Sequence, residues 1–199
     1  VKLIVVTNPL DVMVMLTQKL SKLAPGRVIG TGTMLDTARL RTILGRNLGV
    51  STRAVHAYVL GEHGDSSVVA WAAASVGGLP LEDFCRQTKN TLTAAARQTI
   101  EFRVHNAAYE IIRGRGATWD GIGGAVADLV RCIANDERRI LTVSMVEGVG
   151  RNALAMSLPR IVGAAGIVAS LRPKLSASEG ANLRKSGRII RTNFDAIGK

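Results

Sequence analysis

The most constraining feature of the sequence is a strand–helix–strand pattern near its start. Residues 2–7 (KLIVVT) form a continuous run rich in β-branched side chains, typical of a strand buried on both faces of a parallel sheet. Asn8 and Pro9 end this run, and residues 27–30 (RVIG) follow a turn as a second short strand. The spacing leaves room for one crossover helix, so the pattern predicts a single βαβ unit.

The segment between these two strands predicts an amphipathic helix. Asp11 is expected to cap it, and Lys22 marks its approximate end. The side chains expected on its buried stripe are Val12, Leu16, Leu20 and Leu23.

The rest of the chain mixes helical and strand patterns without a repeat, which predicts an α+β arrangement after the α/β start. We place the domain boundary near residues 31–33, with a first unit at 1–32 and a second at 33–199. The expected elements are a helix at 34–48 closed by Gly49, a strand at 54–60, a turn at 61–65, a returning strand at 67–71, helices at 81–113 interrupted near Asn90, a helix at 120–134, a strand at 139–144, short strands and turns at 156–171, and a helix at 178–197 capped by Ser176 or Ser178.

Charge and hydropathy limit the classes of partner. Lys and Arg total 26 and Asp and Glu total 15, which gives a net charge of +11. Such a balance suits nucleic acid, a membrane surface or small anions. Basic residues are scattered except at 184–191, without interleaved aromatics, so we expect no nucleic-acid partner. The uncharged stretch at 66–81 is interrupted by two glycines and a proline, so we expect no membrane span.

The cysteines, histidines and glycines lack the spacings of the common metal and phosphate sites. Cys85 and Cys132 are far apart and form no CxxC pair, which favours two reduced, buried thiols in a cytosolic protein. The three histidines do not pair with them at zinc-ligand spacing, so we expect no metal. No G-x-G-x-x-G or Walker A sequence occurs in the chain.

His63 is the first candidate for chemistry. It lies in the sequence Gly-Glu-His-Gly-Asp, where a glycine close on each side lets the backbone present one side chain after a strand. Imidazole titrates near neutral pH and suits proton transfer. A loop histidine that is merely solvated is the alternative.

Asp36 and Arg39 are the second candidate, because residues three apart share one face of a helix. They could form an ordinary surface ion pair, which contributes little. Alternatively, Asp36 could orient a histidine while Arg39 clamps a substrate carboxylate. Arg41 lies about 200° around the helix from Arg39 and must face solvent, another element or another subunit.

Four motifs in order carry a family resemblance. They are VTNPLD (6–11), VIGTGTMLDTARLR (28–41), GEHGDSS (61–67) and AYEIIRGRGATWDGIG (108–123). Together they resemble the C-terminal portion of bacterial L-lactate dehydrogenases, over essentially the whole chain. The GEHGDS motif alone also fits the related malate dehydrogenases. The lactate branch is favoured because Thr118 stands where that branch places a substrate-contacting threonine.

The resemblance implies a role for each matching residue. His63 would exchange a proton with the ketone of pyruvate, Asp36 would stabilise its imidazolium, and Arg39 would bind the substrate carboxylate. Asn8 and Thr118 would contact substrate, and the nicotinamide end of NAD would lie against Val6, Thr7, Asn8 and Thr31. Arg41 and His56 match positions that bind fructose 1,6-bisphosphate between subunits of allosteric bacterial enzymes. The family further implies a cytoplasmic homotetramer that serves glycolysis and fermentation.

The chain departs from the family by lacking the Gly-rich strand–turn–helix that binds the pyrophosphate of NAD. The resemblance therefore implies the last βαβ unit of a Rossmann domain followed by the substrate domain. We expect the chain alone to bind NAD poorly and to turn over negligibly. Two alternatives remain open: a malate dehydrogenase of the same superfamily, and a non-catalytic module for anion binding or oligomerisation.

Overall fold

A computed structural model describes residues 1–115 and 119–197. Its helices within those ranges are α1 (Leu10–Ser21), α2 (Met34–Leu48), α3 (Leu81–Thr88), α4 (Ala94–Arg115), α5 (Trp119–Ala134) and α6 (Ala177–Ile197). Its strands are β1 (Leu3–Val5), β2 (Val28–Gly30), β3 (Val55–His56), β4 (Val59–Leu60), β5 (Val68–Val69), β6 (Ser75–Val76), β7 (Leu79–Pro80), β8 (Arg139–Glu147), β9 (Leu154–Gly163) and β10 (Gly166–Ser170).

The largest sheet has the order β1-β2-β8-β9-β10. Strands β1 and β2 are parallel, with Leu3 opposite Val28, and α1 connects them. The predicted βαβ unit is thereby confirmed. Strand β8 joins this unit antiparallel through Gly30 and Ser144, and β8, β9 and β10 continue as an antiparallel meander. The α/β start and the α+β continuation thus share one sheet, which crosses the boundary that we expected near residue 32.

Helix α1 corrects two sequence predictions. It begins at Leu10 after Pro9, and the side chain of Asp11 lies inside its first turn without capping the helix. The predicted apolar stripe is wrong at Leu20, which is 76% exposed, whereas Val12 is buried and Leu23 is partly buried against the core. The buried residues lie nearer the start of the helix, where it packs on β2, β8 and β9. They are Leu10, Asp11, Val12, Val14 and Met15.

The predicted strand at 54–60 is two strands in different sheets. Strand β3 pairs with β6, whereas β4 pairs with β5. Between them the backbone carbonyl of Ala57 accepts a bond from the Arg41 side chain instead of a ladder partner. The returning strand predicted at 67–71 is present but shorter, as β5 at Val68–Val69, because a 3₁₀ helix begins at Trp71.

The segment at 156–171, predicted as short strands and turns, instead contains most of the long strand β9 and all of β10. Strands β8 and β9 together form a long hairpin. Strand β9 pairs with β8 without a break from Arg139 opposite Val162 to Glu147 opposite Leu154. Strand β10 then returns from Gly166, its first residue, whose φ of +101° suits glycine. Continuous pairing with β8, which the local pattern does not contain, makes β9 one strand.

The remaining helix predictions agree with the structure. Gly49 ends α2 with a φ of +68°, and α3 and α4 flank the interruption predicted near Asn90. Ser176 caps α6: its Oγ accepts from the Glu179 backbone at 3.2 Å, and the Glu179 carboxylate accepts from the Ser176 backbone at 2.7 Å. Cys85 and Cys132 are free and buried, as predicted.

Two further features concern the whole of residues 1–115 and 119–197. None of the helices there has the length and apolar character needed to cross a bilayer. The largest apolar core lies between α2, the small sheets and the helices α3 and α4, and includes Leu40, Leu44 and Val104. This core fixes α2, whose first turn faces the loop after β4.

Two leucine substitutions in helices test the position of the core. Leu44 is fully buried on α2, whereas Leu20 on α1 is 76% exposed. Leu44→Ala is expected to lower the free energy of unfolding by about 2–5 kcal/mol, because it leaves a cavity. Leu20→Ala should change it by less than about 0.5 kcal/mol. Urea unfolding followed by circular dichroism measures both, and equal losses would contradict this packing.

Candidate active site

The candidate site centres on His63, in the loop that follows β4. Its Nδ1 lies 3.0 Å from Oδ2 of Asp36, in the first turn of α2. A carboxylate only accepts, so Nδ1–H donates and Nε2 becomes the nitrogen that can exchange a proton. The side chains are partly buried, at 31% exposure for His63 and 14% for Asp36. The structure therefore brings together two residues that the sequence separates by 27 positions.

The environment favours the charged form of His63. Burial by itself lowers the pKa of the imidazole, but the hydrogen bond and the charge of Asp36 outweigh burial, with a further contribution from the charge of Asp11. Arg39 acts in the opposite direction. The net result is a pKa above the usual value for histidine.

The carboxylate of Asp36 also holds Arg39. Nη1 of Arg39 lies 3.3 Å from Oδ1 of Asp36, while Oδ2 accepts from His63. One carboxylate thereby places an imidazole and a guanidinium side by side. The remaining donors of the guanidinium form a planar fork that suits a carboxylate ligand.

The backbone of the His63 loop is held at three successive residues. Gly61 exchanges two hydrogen bonds with Ser157 of β9, at 2.9 and 2.8 Å. The Glu62 N–H donates to Ser186 Oγ of α6 at 2.8 Å. The His63 N–H donates to Oδ2 of Asp11 at 2.8 Å. These bonds come from three different elements and fix the position from which the imidazole projects.

The start of α2 is anchored to the same strands by hydroxyl groups. The Thr33 N–H donates to Ser157 Oγ at 3.2 Å, and the Thr33 hydroxyl donates to the carbonyl of Val59 at 2.5 Å. The Thr37 hydroxyl accepts from the Val59 N–H at 3.0 Å and from the Thr142 hydroxyl at 2.9 Å. Asp36 therefore lies on a helical turn that is hydrogen-bonded to strands β8, β9 and β4.

Gly32, just before α2, allows this close approach. Its φ is +55°, and a Cβ there would lie 2.6 Å from Ser157 Oγ and 2.8 Å from the Thr142 carbonyl oxygen. Only glycine fits both the backbone conformation and the space.

Four residues predicted to face the nicotinamide lie around the carboxyl ends of the parallel strands β1 and β2. Val6 is 41% exposed, and Thr7 and Asn8 are exposed beside it. Thr31 is 3% exposed and donates its N–H to the Val5 carbonyl at 3.0 Å, which ties the two strand ends together. An exposed apolar side chain next to an amide fits a flat aromatic carboxamide, and ligands of parallel sheets bind at this edge.

Arg41 lies about 200° around α2 from Arg39, so it faces away from the guanidinium that Asp36 holds. Nε of Arg41 donates to the carbonyl of Ala57 at 3.0 Å, and its guanidinium stacks on Tyr58 at 5.3 Å from the ring centre. Burial lowers the pKa of Arg41. His56 is exposed on β3, one residue before that carbonyl. Arg41 thus contacts the backbone of the residue that follows His56. Thr118, also predicted at the site, lies outside the described residues.

Several residues of the site were missed by the sequence reasoning. They are Asp11, Ser144, Ser157 and Ser186, which hold backbone or carboxylate groups around His63. Asp11 carried a signal, since it lies two residues after Pro9, but that position predicts a local helix cap. The serines had no distinguishing local pattern.

Comparison with known proteins gives this site a family. The family described as lactate/malate dehydrogenase, alpha/beta C-terminal domain, matches residues 33–198. The chain belongs to the lactate/malate dehydrogenase family. It is 48% identical to the L-lactate dehydrogenase of Thermus aquaticus over 200 residues, covering 98% of this chain and 64% of that protein. The corresponding protein of Allorhizobium ampelinum is also 48% identical, over 95% of this chain and 62% of the relative.

Solved structures of the family agree with this membership. The crystal structure of a lactate dehydrogenase from a Medee basin deep-sea metagenome library superposes with a TM-score of 0.94 at 37% identity, covering 100% of this chain and 64% of that one. A minor L-lactate dehydrogenase of Enterococcus mundtii in ligand-bound form gives 0.91 at 34% identity, covering 98% and 63%. The resemblance stated from the motifs is confirmed, and the chain spans just under two thirds of these family members.

The Asp36–His63 pair has a measurable pH signature. Asp36→Asn keeps an oxygen that can accept from Nδ1 but removes the charge that favours the imidazolium. The pKa of His63 is therefore expected to be lower in this variant than in the unmodified chain. NMR can follow the titration of His63 directly, because a chain with three histidines gives few imidazole signals to assign. Asp83→Asn, which removes an exposed carboxylate on α3, is the control. Identical His63 titrations in all three proteins would contradict the pairing.

Proposed function

We propose that this chain carries the substrate-handling part of an NAD-dependent L-lactate dehydrogenase, which interconverts pyruvate and L-lactate. The observation that carries the proposal is the single carboxylate of Asp36, which holds both His63 and Arg39. Residues 1–32 would belong to the dinucleotide-binding domain, and residues 33–199 would form the substrate domain.

The side chains divide the reaction between them. His63 donates a proton from Nε2 to the ketone oxygen of pyruvate, and Asp36 keeps the imidazole oriented and its cationic form stable. Arg39 binds the carboxylate of the substrate through its remaining N–H groups. In the reverse direction the neutral imidazole accepts the hydroxyl proton of lactate.

The cofactor side of the site involves the ends of β1 and β2. NADH, when bound, supplies a hydride to the carbonyl carbon. We propose that Val6, Thr7 and Thr31 line the nicotinamide end, and that Asn8 lies between nicotinamide and substrate. Thr118 would close the far wall of the substrate pocket.

A chimera tests the proposed activity. Residues 1–199 are joined behind the N-terminal segment of the Thermus aquaticus relative, and pyruvate reduction is followed by NADH absorbance. His63→Asn is expected to lower kcat by roughly 10²–10⁴-fold, the usual contribution of a proton donor. His105→Asn, a second histidine from α4, should leave it unchanged. Activity should also fall as pH rises through the raised pKa of His63, because reduction requires the imidazolium.

Two results would overturn the proposal. One is a folded chimera that does not reduce pyruvate, and the other is a His63→Asn chimera that reduces it at the original rate.

A second candidate function is anion binding at Arg41 and His56, as in an allosteric member of the family. The stacked, partly buried Arg41 and the exposed His56 lie beside one backbone segment, where Nε of Arg41 donates to the carbonyl of Ala57. We propose that this pair takes a phosphate group of fructose 1,6-bisphosphate. The effector would act between subunits of a cytoplasmic homotetramer.

Calorimetry separates the effector site from the cofactor site. Titration of the 199-residue chain with fructose 1,6-bisphosphate is expected to release heat, which Arg41→Gln combined with His56→Gln should abolish. Arg53→Gln, a neighbouring arginine, is the control. Binding of the effector without binding of NADH would support an anion-binding module for the chain alone. Binding that persists in the double variant would refute this site.

A further inference from the structure

A buried carboxylate that no step of the proposed reaction uses lies directly beneath His63. Asp11 is 2% exposed, in the first turn of α1. Its Oδ2 accepts from the His63 backbone at 2.8 Å, and its Oδ1 accepts from the hydroxyl of Ser144 at 2.5 Å. It therefore joins the loop of the acid–base histidine to the centre of the main sheet.

The anchor on the sheet side is a buried residue paired on both sides. Ser144 is fully buried on β8, opposite Gly30 of β2 and opposite Ser157 of β9. Ser157 in turn pairs with Gly61, two residues before His63. A displacement of Asp11 relative to the loop would therefore break bonds at both ends.

Position alone does not require a charged residue. In the described part of the chain both hydrogen-bond donors to Asp11 are neutral groups, a hydroxyl and a backbone N–H. An amide oxygen could accept the same backbone bond, and a buried charge is costly without a counter-charge. Burial accordingly raises the pKa of Asp11 to about 6, although the bonds from Ser144 and His63 oppose this.

The nearby counter-charge is the imidazolium of His63. Asp36 and Arg39 on α2 and Asp11 on α1 are the charged groups that act on this ring, and Glu62 beside it acts on Asp11. Part of the charge of Asp36 is compensated by its ion pair with Arg39. Asp11 has no such cationic partner among the bonds of the described residues, and the charge of His63 acts in return to lower the pKa of Asp11.

We propose that Asp11 is a positioning residue for His63, which fixes its backbone by a hydrogen bond and stabilises its imidazolium by charge. The inference rests on the proposed function, because it assigns the ionised carboxylate to the proton donor of that reaction. It also couples the two halves of the site, since Asp11 lies three residues after Asn8. The segment predicted to face the nicotinamide is thereby tied to the acid that serves the substrate oxygen.

Asp11→Asn tests the charge while keeping the geometry, because its oxygen can accept from His63 and its amide can donate to Ser144. In NMR titrations of the 199-residue chain, His63 is expected to titrate at lower pH in this variant than in the unmodified chain. Asp83→Asn should not move it. The backbone amide of His63 should also lose the inflection near pH 6 that reports Asp11.

Thermal unfolding gives a readout that a merely structural role would not give. The folded-state pKa of Asp11 lies above its ordinary value, so its contribution to stability is present at low pH and lost as pH rises through about 6. Asp11→Asn is therefore expected to have an equal or higher Tm than the unmodified chain at pH 8. A residue kept only for packing would show a lower Tm.

Two outcomes would overturn the proposal: an unchanged His63 titration in folded Asp11→Asn, or a Tm at pH 8 well below that of the unmodified chain. If Asp11→Asn does not fold, Ser144→Ala replaces it. Loss of the serine bond should move the Asp11 inflection at the His63 amide to higher pH, and an unmoved inflection would be equally decisive. None of these measurements needs substrate, so an inactive chimera with a shifted titration would refute the proposed function alone.

Discussion

The hydrogen bond between His63 and Asp36 depends on a scaffold that neither residue belongs to. The loop that carries His63 and the turn that carries Asp36 are both bonded to the β8–β9 hairpin, through the backbone of Ser157 at Gly61 and through its hydroxyl at Thr33. A bond of 3.0 Å between two partly buried side chains requires that both backbones be held to a fraction of an ångström. The hairpin meets this requirement because the pairing between β8 and β9 is unbroken over their whole length.

The β8–β9 hairpin holds these backbones through buried polar side chains, at positions where a sheet of this kind would be expected to carry apolar ones. Thr142, Ser144 and Ser157 are at most 2% exposed. Buried hydroxyls stabilise a fold only weakly, and an apolar residue of similar shape often does as well. Their bonds are directed at Thr37, Asp11 and Thr33, which surround the candidate site. Their placement therefore serves the geometry of the site more than the stability of the core.

Local patterns predicted the elements whose residues determine them locally. The βαβ unit, the end of α2 at Gly49 and the Ser176 cap follow from periodicity and capping chemistry, and the Asp36–Arg39 pair follows from helical spacing. The proximity of His63 to Asp36 was predicted only from the family resemblance, because no rule of local spacing brings together residues that are 27 apart in sequence. The prediction for Asp11 was wrong because an aspartate between the end of a strand and the start of a helix is usually a cap. Here its carboxylate instead accepts hydrogen bonds from His63 and Ser144, which are distant in sequence. Strand β9 was missed for the same reason, since β8 supplies its partners.

The distribution of charge connects these details to the proposed chemistry. The chain carries a net charge of +11, yet two carboxylates act on one histidine from two different helices. A positive surface attracts small anions, and in the proposed reaction Arg39 would receive the carboxylate of pyruvate. An anionic substrate beside His63 would itself favour the imidazolium, so Asp36 and Asp11 matter most before it binds. In the proposed reaction the two carboxylates would therefore prepare the protonated state in advance, and the cost of keeping Asp11 ionised in the interior would be part of that preparation.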